Sequence, residues 1–179
     1  FNNVTKGVTM NNVVGGKIEH NQFNIPSGTS TVDAYGVNLF GSKSVHVLDN
    51  YFFAAQNSSY SRVLIADNTF YTAYPTNVKN NEFTGRFQEA TRFSNNDRLL
   101  QMQCNSYDAC QKDWYFDTSA QLDPQGACDP EQSSKALRNH FHYIYGAPTL
   151  PATGEHIYIE SGNTFFSTSN KLTLRTDNS

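Results

Sequence analysis

Apolar and polar residues alternate in short runs along this chain. The apolar residues of Val45-His46-Val47 and Ile157-Tyr158-Ile159 stand two positions apart, which is the period of a strand and not of a helix. Several runs lead into an asparagine that is followed, two positions later, by an aromatic residue. In most copies an apolar residue stands three positions before the asparagine, as Val47 does before Asn50. The pattern therefore predicts short strands that end at a common type of corner.

This Asn-x-aromatic corner recurs seven times. The copies are Asn21/Phe23, Asn50/Phe52, Asn68/Phe70, Asn81/Phe83, Asn105/Tyr107, Asn139/Phe141 and Asn163/Phe165. The interval between successive copies is uneven, and a unit that returns in this way predicts stacked coils with loops of different length. The sequence thus predicts an all-β fold, a right-handed parallel β-helix (solenoid) of roughly 7–8 coils with loop excursions. A β-sandwich or a propeller is the alternative.

The corner residues have a physical role in that fold. Asparagine tolerates left-handed backbone angles and bonds to its own local backbone, which suits a sharp turn. Stacked in one column, inward asparagines are expected to hydrogen-bond from coil to coil, and the aromatic residues to stack in the same way. We therefore predict that the seven asparagines and seven aromatics form structural ladders.

Composition and charge narrow the class of protein. The 179 residues carry a formal charge of -3, and the pI is near 5.9. Since no run of Lys or Arg is present, a nucleic-acid surface is not expected. No apolar run approaches the length that spans a membrane. We expect residues 1–179 to be a single β-helix segment of a longer repeat protein, because neither end reads as a polar cap.

Residues 36–52, Gly-Val-Asn-Leu-Phe-Gly-Ser-Lys-Ser-Val-His-Val-Leu-Asp-Asn-Tyr-Phe, carry a resemblance to a known group. They resemble the right-handed parallel β-helix repeats of large secreted and surface proteins of Bacteroidota, and the corners at Asn105 and Asn139 are similar. The resemblance implies an adhesin-like or filament-like protein exported by the type IX system, with no catalytic residues. It implies an extracellular or cell-surface location and partners that are neighbouring repeats or identical subunits.

Three cysteines are present, Cys104, Cys110 and Cys128. An odd number in an exported protein predicts one pair and one remaining thiol. Residues 110–135 depart from the repeat and are predicted to be an irregular loop excursion. A Cys110–Cys128 disulfide would close this loop and contribute about 3 kcal/mol in the chain-entropy treatment. Cys104–Cys110 is the alternative pairing.

Few residues in the sequence are candidates for catalysis, metal binding or ligand binding. Asp49 and Asp67 precede corner asparagines, and if their coils align they are candidate ligands of a calcium ion in a polysaccharide lyase-like enzyme. Apart from this calcium ion no cofactor is predicted. Trp114, Tyr71 and Tyr74 are candidate contacts for surface glycans, which would make the chain a carbohydrate-binding module. No catalytic set converges, so the sequence favours a structural or adhesive unit that mediates assembly or attachment and not catalysis.

Overall fold

The computed structural model describes residues 5–26, 33–69, 75–95, 97, 99–116, 140–144 and 155–159. Every regular element in these residues is a strand. In chain order the strands are β1 Lys6–Asn11, β2 Val14–Glu19, β3 Gln22–Asn24, β4 Tyr35–Phe40, β5 Lys43–Leu48, β6 Tyr51–Asp67, β7 Asn77–Lys79, β8 Glu82–Ser94, β9 Gln101–Gln103, β10 Ser106–Cys110, β11 Lys112–Phe116, β12 His140–Ile144 and β13 Glu155–Ile159.

The pairs that these strands make are parallel, and they form two sheets. The larger sheet follows the order β1-β4-β6-β8-β10-β12, with β3 beside β6 and with β11 between β8 and β13. The smaller sheet follows the order β2-β5-β7-β9. The predicted all-β fold with parallel strands is therefore confirmed, and the arrangement is consistent with a β-solenoid.

Strand register shows how the chain returns to the same place. Val8 pairs with Val37, and Val37 pairs with Leu64. Leu64 in turn pairs with Thr91, and Thr91 with Trp114. We call each such return a circuit; the last of these circuits is shorter than the first. Part of the change in circuit length is absorbed inside β6, where the pairing with β8 shifts register between Ala54 and Ser58 and again between Ser58 and Arg62.

The core lies between the faces and is built from residues at alternate positions of each strand. Val45 and Val47 of β5 and Leu39 of β4 are fully buried, while His46 between the two valines is not. The same inward positions are occupied in the next circuits by Val78 and Met102, which are also fully buried. The period of two in the sequence therefore corresponds to the core face of each sheet.

Two columns of residues with positive φ make the corners between the faces. One column follows the β1, β4, β6 and β8 strands and contains Asn12, Gly41, Asn68 and Asn95, with φ between 55° and 60°. The other contains His20, Asp49, Asn80 and Cys104, with φ between 54° and 56°. In this second column the left-handed residue is the one before the asparagine of the motif. The prediction that the motif asparagine itself takes the left-handed conformation is corrected on this point.

The motif predicts that Asn68 lies at the same corner as the other motif asparagines, but the structure places it at the other corner. It is exposed, has φ of 57°, and its amide donates to the carbonyl of Ser94. The reason is that β6 runs for 17 residues and contributes to two faces. Its first part, beginning at Tyr51, follows Asn50, whereas its last part ends at Asp67. Asn68 therefore lies in the column of Asn12, and its resemblance to the other motif copies is local.

The described part of the predicted loop excursion over residues 110–135 is not a loop. Residues 112–116 form β11, which pairs with Thr91–Phe93 of β8 on one side and with β13 on the other. These residues belong to the sheet because Trp114 and Phe116 occupy core positions. Residues 117–135 lie outside the described residues.

We predict that Gly85→Ala destabilises the protein by about 3 kcal/mol or more, because strain and a steric clash add. Gly85 has φ of 128°, and a Cβ there would collide with the carbonyl oxygen of Ala54 on the paired strand. Gly15→Ala is the matched control, since Gly15 has φ of 77° but no atom within 4 Å of the Cβ position. Its cost is about 1–2 kcal/mol. Urea unfolding followed by circular dichroism measures both, and equal losses would contradict the clash.

Candidate functional site

Four corner asparagines stack in a column that we call the asparagine ladder: Asn21, Asn50, Asn81 and Asn105. From Asn50 onward, the Oδ1 atom of each ladder asparagine accepts two hydrogen bonds. One comes from the backbone amide and the other from the Nδ2 atom of the asparagine one circuit earlier in the chain. These distances are 3.0 and 3.1 Å for Asn21 to Asn50, and 3.0 Å for every bond from Asn50 to Asn81 and from Asn81 to Asn105. The ladder therefore joins successive circuits by a repeated pair of bonds.

The ladder asparagines also donate hydrogen bonds to backbone carbonyls in strands of the preceding circuit. The Nδ2 atoms of Asn50, Asn81 and Asn105 donate to the carbonyl oxygens of Ile18, Val47 and Val78 at 2.8–2.9 Å. Asn50, Asn81 and Asn105 are at most 2% exposed. Burying an amide without hydrogen-bond partners would cost stability. These bonds therefore allow the asparagine side chains to be buried.

The aromatic residues of the same motif form a second column, the aromatic stack: Phe23, Phe52, Phe83 and Tyr107. Their ring centroids are 4.8, 4.9 and 4.8 Å apart, with interplanar angles of 14°, 13° and 7°. This spacing is that of neighbouring strands, so each circuit adds one ring. Tyr107 is fully buried, and burial raises the pKa of its hydroxyl above the ordinary value.

The remaining predicted ladder residues are placed only in part. Phe141 lies on β12, in register with Tyr107 of the aromatic stack. Phe70, Asn139, Asn163 and Phe165 lie outside the described residues.

Asp49 and Asp67, the predicted calcium ligands, lie in different columns. Asp49 is at the corner before Asn50, and its Oδ1 accepts a bond of 3.1 Å from Asn80. Asp67 ends β6 and accepts a bond of 2.7 Å from Asn95 at the other corner. The structure does not bring the two carboxylates together, because β6 carries Asp67 past the ladder corner. Within the described residues, no group of three or more His, Cys, Asp or Glu side chains is placed to hold a metal ion.

Charged side chains converge elsewhere, in what we call the ion cluster: Asp33, Arg62, Glu89 and Arg92. Glu89 is 3% exposed and accepts from Arg62 Nε at 3.1 Å and from Arg92 at 3.3 Å. Arg62 also forms an ion pair with Asp33. Arg62 and Glu89 are paired residues of β6 and β8. The cluster thus joins adjacent strands, and the two arginines compensate the burial of the carboxylate.

Lys112 adds a further cationic side chain beside Arg92 of the ion cluster. Lys112 lies one circuit beyond Glu89 by register, and both Lys112 and Arg92 lie over the ring of Tyr115, at 5.0 and 4.7 Å from its centroid. Such cation–π contacts favour cations that are partly removed from water. The sequence analysis did not identify the ion cluster or these contacts.

The predicted glycan contacts are not supported at Trp114. This residue is 6% exposed and packs edge-on against Phe93 and Tyr107 at 5.7 and 6.4 Å between ring centroids. It faces the core because β11 belongs to the sheet, so it is not a surface contact. Tyr71 and Tyr74 lie outside the described residues.

The predicted Cys110–Cys128 disulfide is not found in the part of the chain that the structure describes, and Cys128 itself lies outside that part. Cys110 is a fully buried free thiol whose Sγ lies 3.7 Å from the carbonyl oxygens of Phe83 and Asp108. Burial raises the pKa of this thiol well above its ordinary value, so the thiolate is disfavoured. Cys104, the partner in the alternative pairing, is also a free thiol, at a corner with φ of 54°.

One buried carboxylate secures a corner. Asp97 accepts bonds from the amide and hydroxyl of Thr69, both at 3.0 Å, and from the amide of Ser94 at 3.1 Å. Burial outweighs these bonds and raises the pKa of Asp97 to about 7. Asp97 therefore changes charge near neutral pH while it holds two successive corners together.

Searches of protein-family models, of curated proteins and of solved structures found no match to this chain. Within the described residues there is also no helix long and apolar enough to cross a membrane.

We predict that Asn81→Ala destabilises the protein by about 3 kcal/mol or more, because it leaves the buried amide and Nδ2 of Asn50 without their acceptor. The matched control is Asn77→Ala, which removes a half-buried asparagine of the neighbouring β7 whose Nδ2 bonds to His46 Nδ1 at 3.1 Å. Thermal and urea unfolding compare the two variants. A loss no larger than in the control would show that the ladder contributes little to stability.

Asp97 gives a pH dependence with a defined sign. Its pKa is higher in the folded state, about 7 against 3.8, so the folded state binds more protons between these values and stability falls as pH rises through this window. Relative to Asp97→Asn, the wild type should lose about 2 kcal/mol of unfolding free energy between pH 5 and pH 8. Urea titrations at several pH values measure this difference. A wild type that gains stability over the variant as pH rises would mean that the folded state favours the ionised carboxylate.

Proposed function

We propose that the chain is a segment of a right-handed parallel β-helix and serves as a structural or adhesive unit of a large extracellular surface or filament protein. The unit would mediate assembly or attachment through neighbouring repeats or identical subunits. The roughly 7–8 coils predicted from seven corner motifs are reduced by one, because Asn68 lies at the other corner of the circuit that Asn50 already marks.

The observation that carries this proposal is the use of polar side chains in the asparagine ladder. Asn50 and Asn81 each accept two bonds from the previous circuit and donate to the next one. These side chains hold circuits together and do not converge on an open site. A unit built in this way gains stability with each added circuit, which suits a long extracellular shaft.

The ion cluster supports the same interpretation. Glu89 is engaged by two arginines, and Arg62 is shared between Glu89 and Asp33. These contacts connect the segment just before β4 through β6 to β8, and so they run along the stacking direction. The lyase-like alternative required Asp49 and Asp67 on one face, and their separation at two corners leaves it without its proposed residues.

Electron microscopy of the full-length parent protein in its native state, beside the isolated chain, tests the proposal. We expect rods or fibres whose walls repeat at about 4.8 Å. An antibody raised against the chain should label intact cells. The Asn81→Ala variant in the parent is the control, because weakened stacking should shorten or disorder the rods. Discrete particles that release unsaturated sugars from an acidic polysaccharide would contradict the structural role.

A further inference from the structure

Two aromatic side chains lie on the outer face of β6, which we call the aromatic pair: Tyr51 and Phe53. They flank the fully buried Phe52 along the strand, so they point to the opposite side of the sheet. Their ring centroids are 6.1 Å apart and their planes differ by 17°. Both residues are partly exposed. The two stacked rings therefore form a small, partly exposed apolar platform between the polar side chains of the neighbouring strands.

Polar side chains border this platform on both neighbouring strands. Gln22 and Asn24 of β3 pair with Tyr51 and Phe53 on one side. On the other side Glu82 and Thr84 of β8 pair with the same two residues. Thr84 donates to Glu82 at 3.1 Å. The strands that carry these amide, hydroxyl and carboxylate groups thus lie one strand spacing, about 4.8 Å, from the strand that carries the rings.

We propose that the aromatic pair and its border bind a neutral saccharide. A sugar ring offers an apolar C–H face that packs on an aromatic ring and hydroxyl groups that bond to amides and carboxylates at the edge. Recognition of a small ligand generally combines an aromatic surface with a few placed polar groups in this way. The isolated rings are too small an apolar area for a protein interface of ordinary size.

Charge selects a neutral sugar over an acidic one. The residue columns through Tyr51 and Phe53 continue to Ser106 and Asp108 of β10. Across β3, β6, β8 and β10 the two columns contain the carboxylates of Glu82 and Asp108 and no Lys or Arg. A uronate or a sulfated sugar would be repelled here. Arg86, the next outward-facing residue of β8 after Thr84, lies just beyond these columns, and the cations of the ion cluster region lie at other strand positions.

This site is independent of the proposed structural role, because sugar binding by the chain and assembly of the parent protein are measured separately. Affinity gel electrophoresis of the whole chain tests it, with soluble β-glucan, mannan or xylan in the gel and polygalacturonate as the acidic comparison. We expect at least one neutral polysaccharide to retard the chain. Tyr51→Ala/Phe53→Ala should bind about tenfold more weakly or worse, since each ring contributes to the stacking.

Tyr60→Ala is the matched control, because Tyr60 is an exposed aromatic residue of the same strand that lies outside the border. It should bind like the wild type. Circular dichroism checks that each variant is folded, and the single variants Tyr51→Ala and Phe53→Ala replace the double variant if it is not. Retardation by none of the neutral polysaccharides, or by polygalacturonate alone, would overturn the proposal. So would equal losses in the Tyr60 control, or variants that alter only self-association.

Discussion

The hydrogen-bonding capacity of a buried asparagine side chain is the constraint on which the rest of the structure depends. An amide inside the protein must find partners, and Asn50 and Asn81 find them in both neighbouring circuits of the stack. Asn81 accepts from Asn50, donates to Asn105 and reaches back to the carbonyl of Val47. Such a residue fixes the register of three circuits at once. A slip by one residue would move each ladder amide out of line with its partners in the neighbouring circuits and leave several groups without hydrogen bonds.

The first described circuit shows the same rule at its edge. The Nδ2 atom of Asn21 donates to Asn50 and to the carbonyl of Glu19, two positions earlier in the chain. Asn50 and Asn81, which have a described circuit on each side, donate in addition to strands of the preceding circuit, and Asn81 keeps a bond to the carbonyl of Lys79. Val8 and Met10 of this first circuit are also only partly buried, whereas their register partners are fully buried. The ladder and the core are therefore completed together, one circuit at a time.

The aromatic stack imposes a second requirement, on the backbone beside it. Phe52 packs so closely on Gly36 that a Cβ at that glycine would lie 2.8 Å from the ring. At this position the aromatic stack leaves room for β4 because Gly36 has no side chain. Gly36 and Phe52 are thus one unit, although they stand at opposite ends of the segment from residue 36 to residue 52.

The sequence predicted the strand period, the parallel all-β fold and four members of the ladder, because each depends on a local pattern. It placed Asn68, Asp67 and Trp114 wrongly, since their positions depend on how far β6 and β8 extend beyond one face. Asn68-Thr69-Phe70 has the motif, but the 17 residues of β6 carry it past the ladder corner to the next one. Arg62 and Glu89 could be matched only after the circuit length was known, and that length is not constant between β1 and β11.

Strand register constrains the inward-facing and the outward-facing side chains of this protein differently. Side chains that point inward or sit at the ladder corner are fixed by register, so a change there must satisfy the circuits on both sides. Side chains such as Tyr51 and Phe53 share the register but have no inward partners to satisfy. Their positions are held by Phe52 between them, which is locked in the aromatic stack. The aromatic stack therefore supplies a rigid frame on which the outer residues can change chemistry at little cost in stability, and this frame orders the two partly exposed rings into a platform.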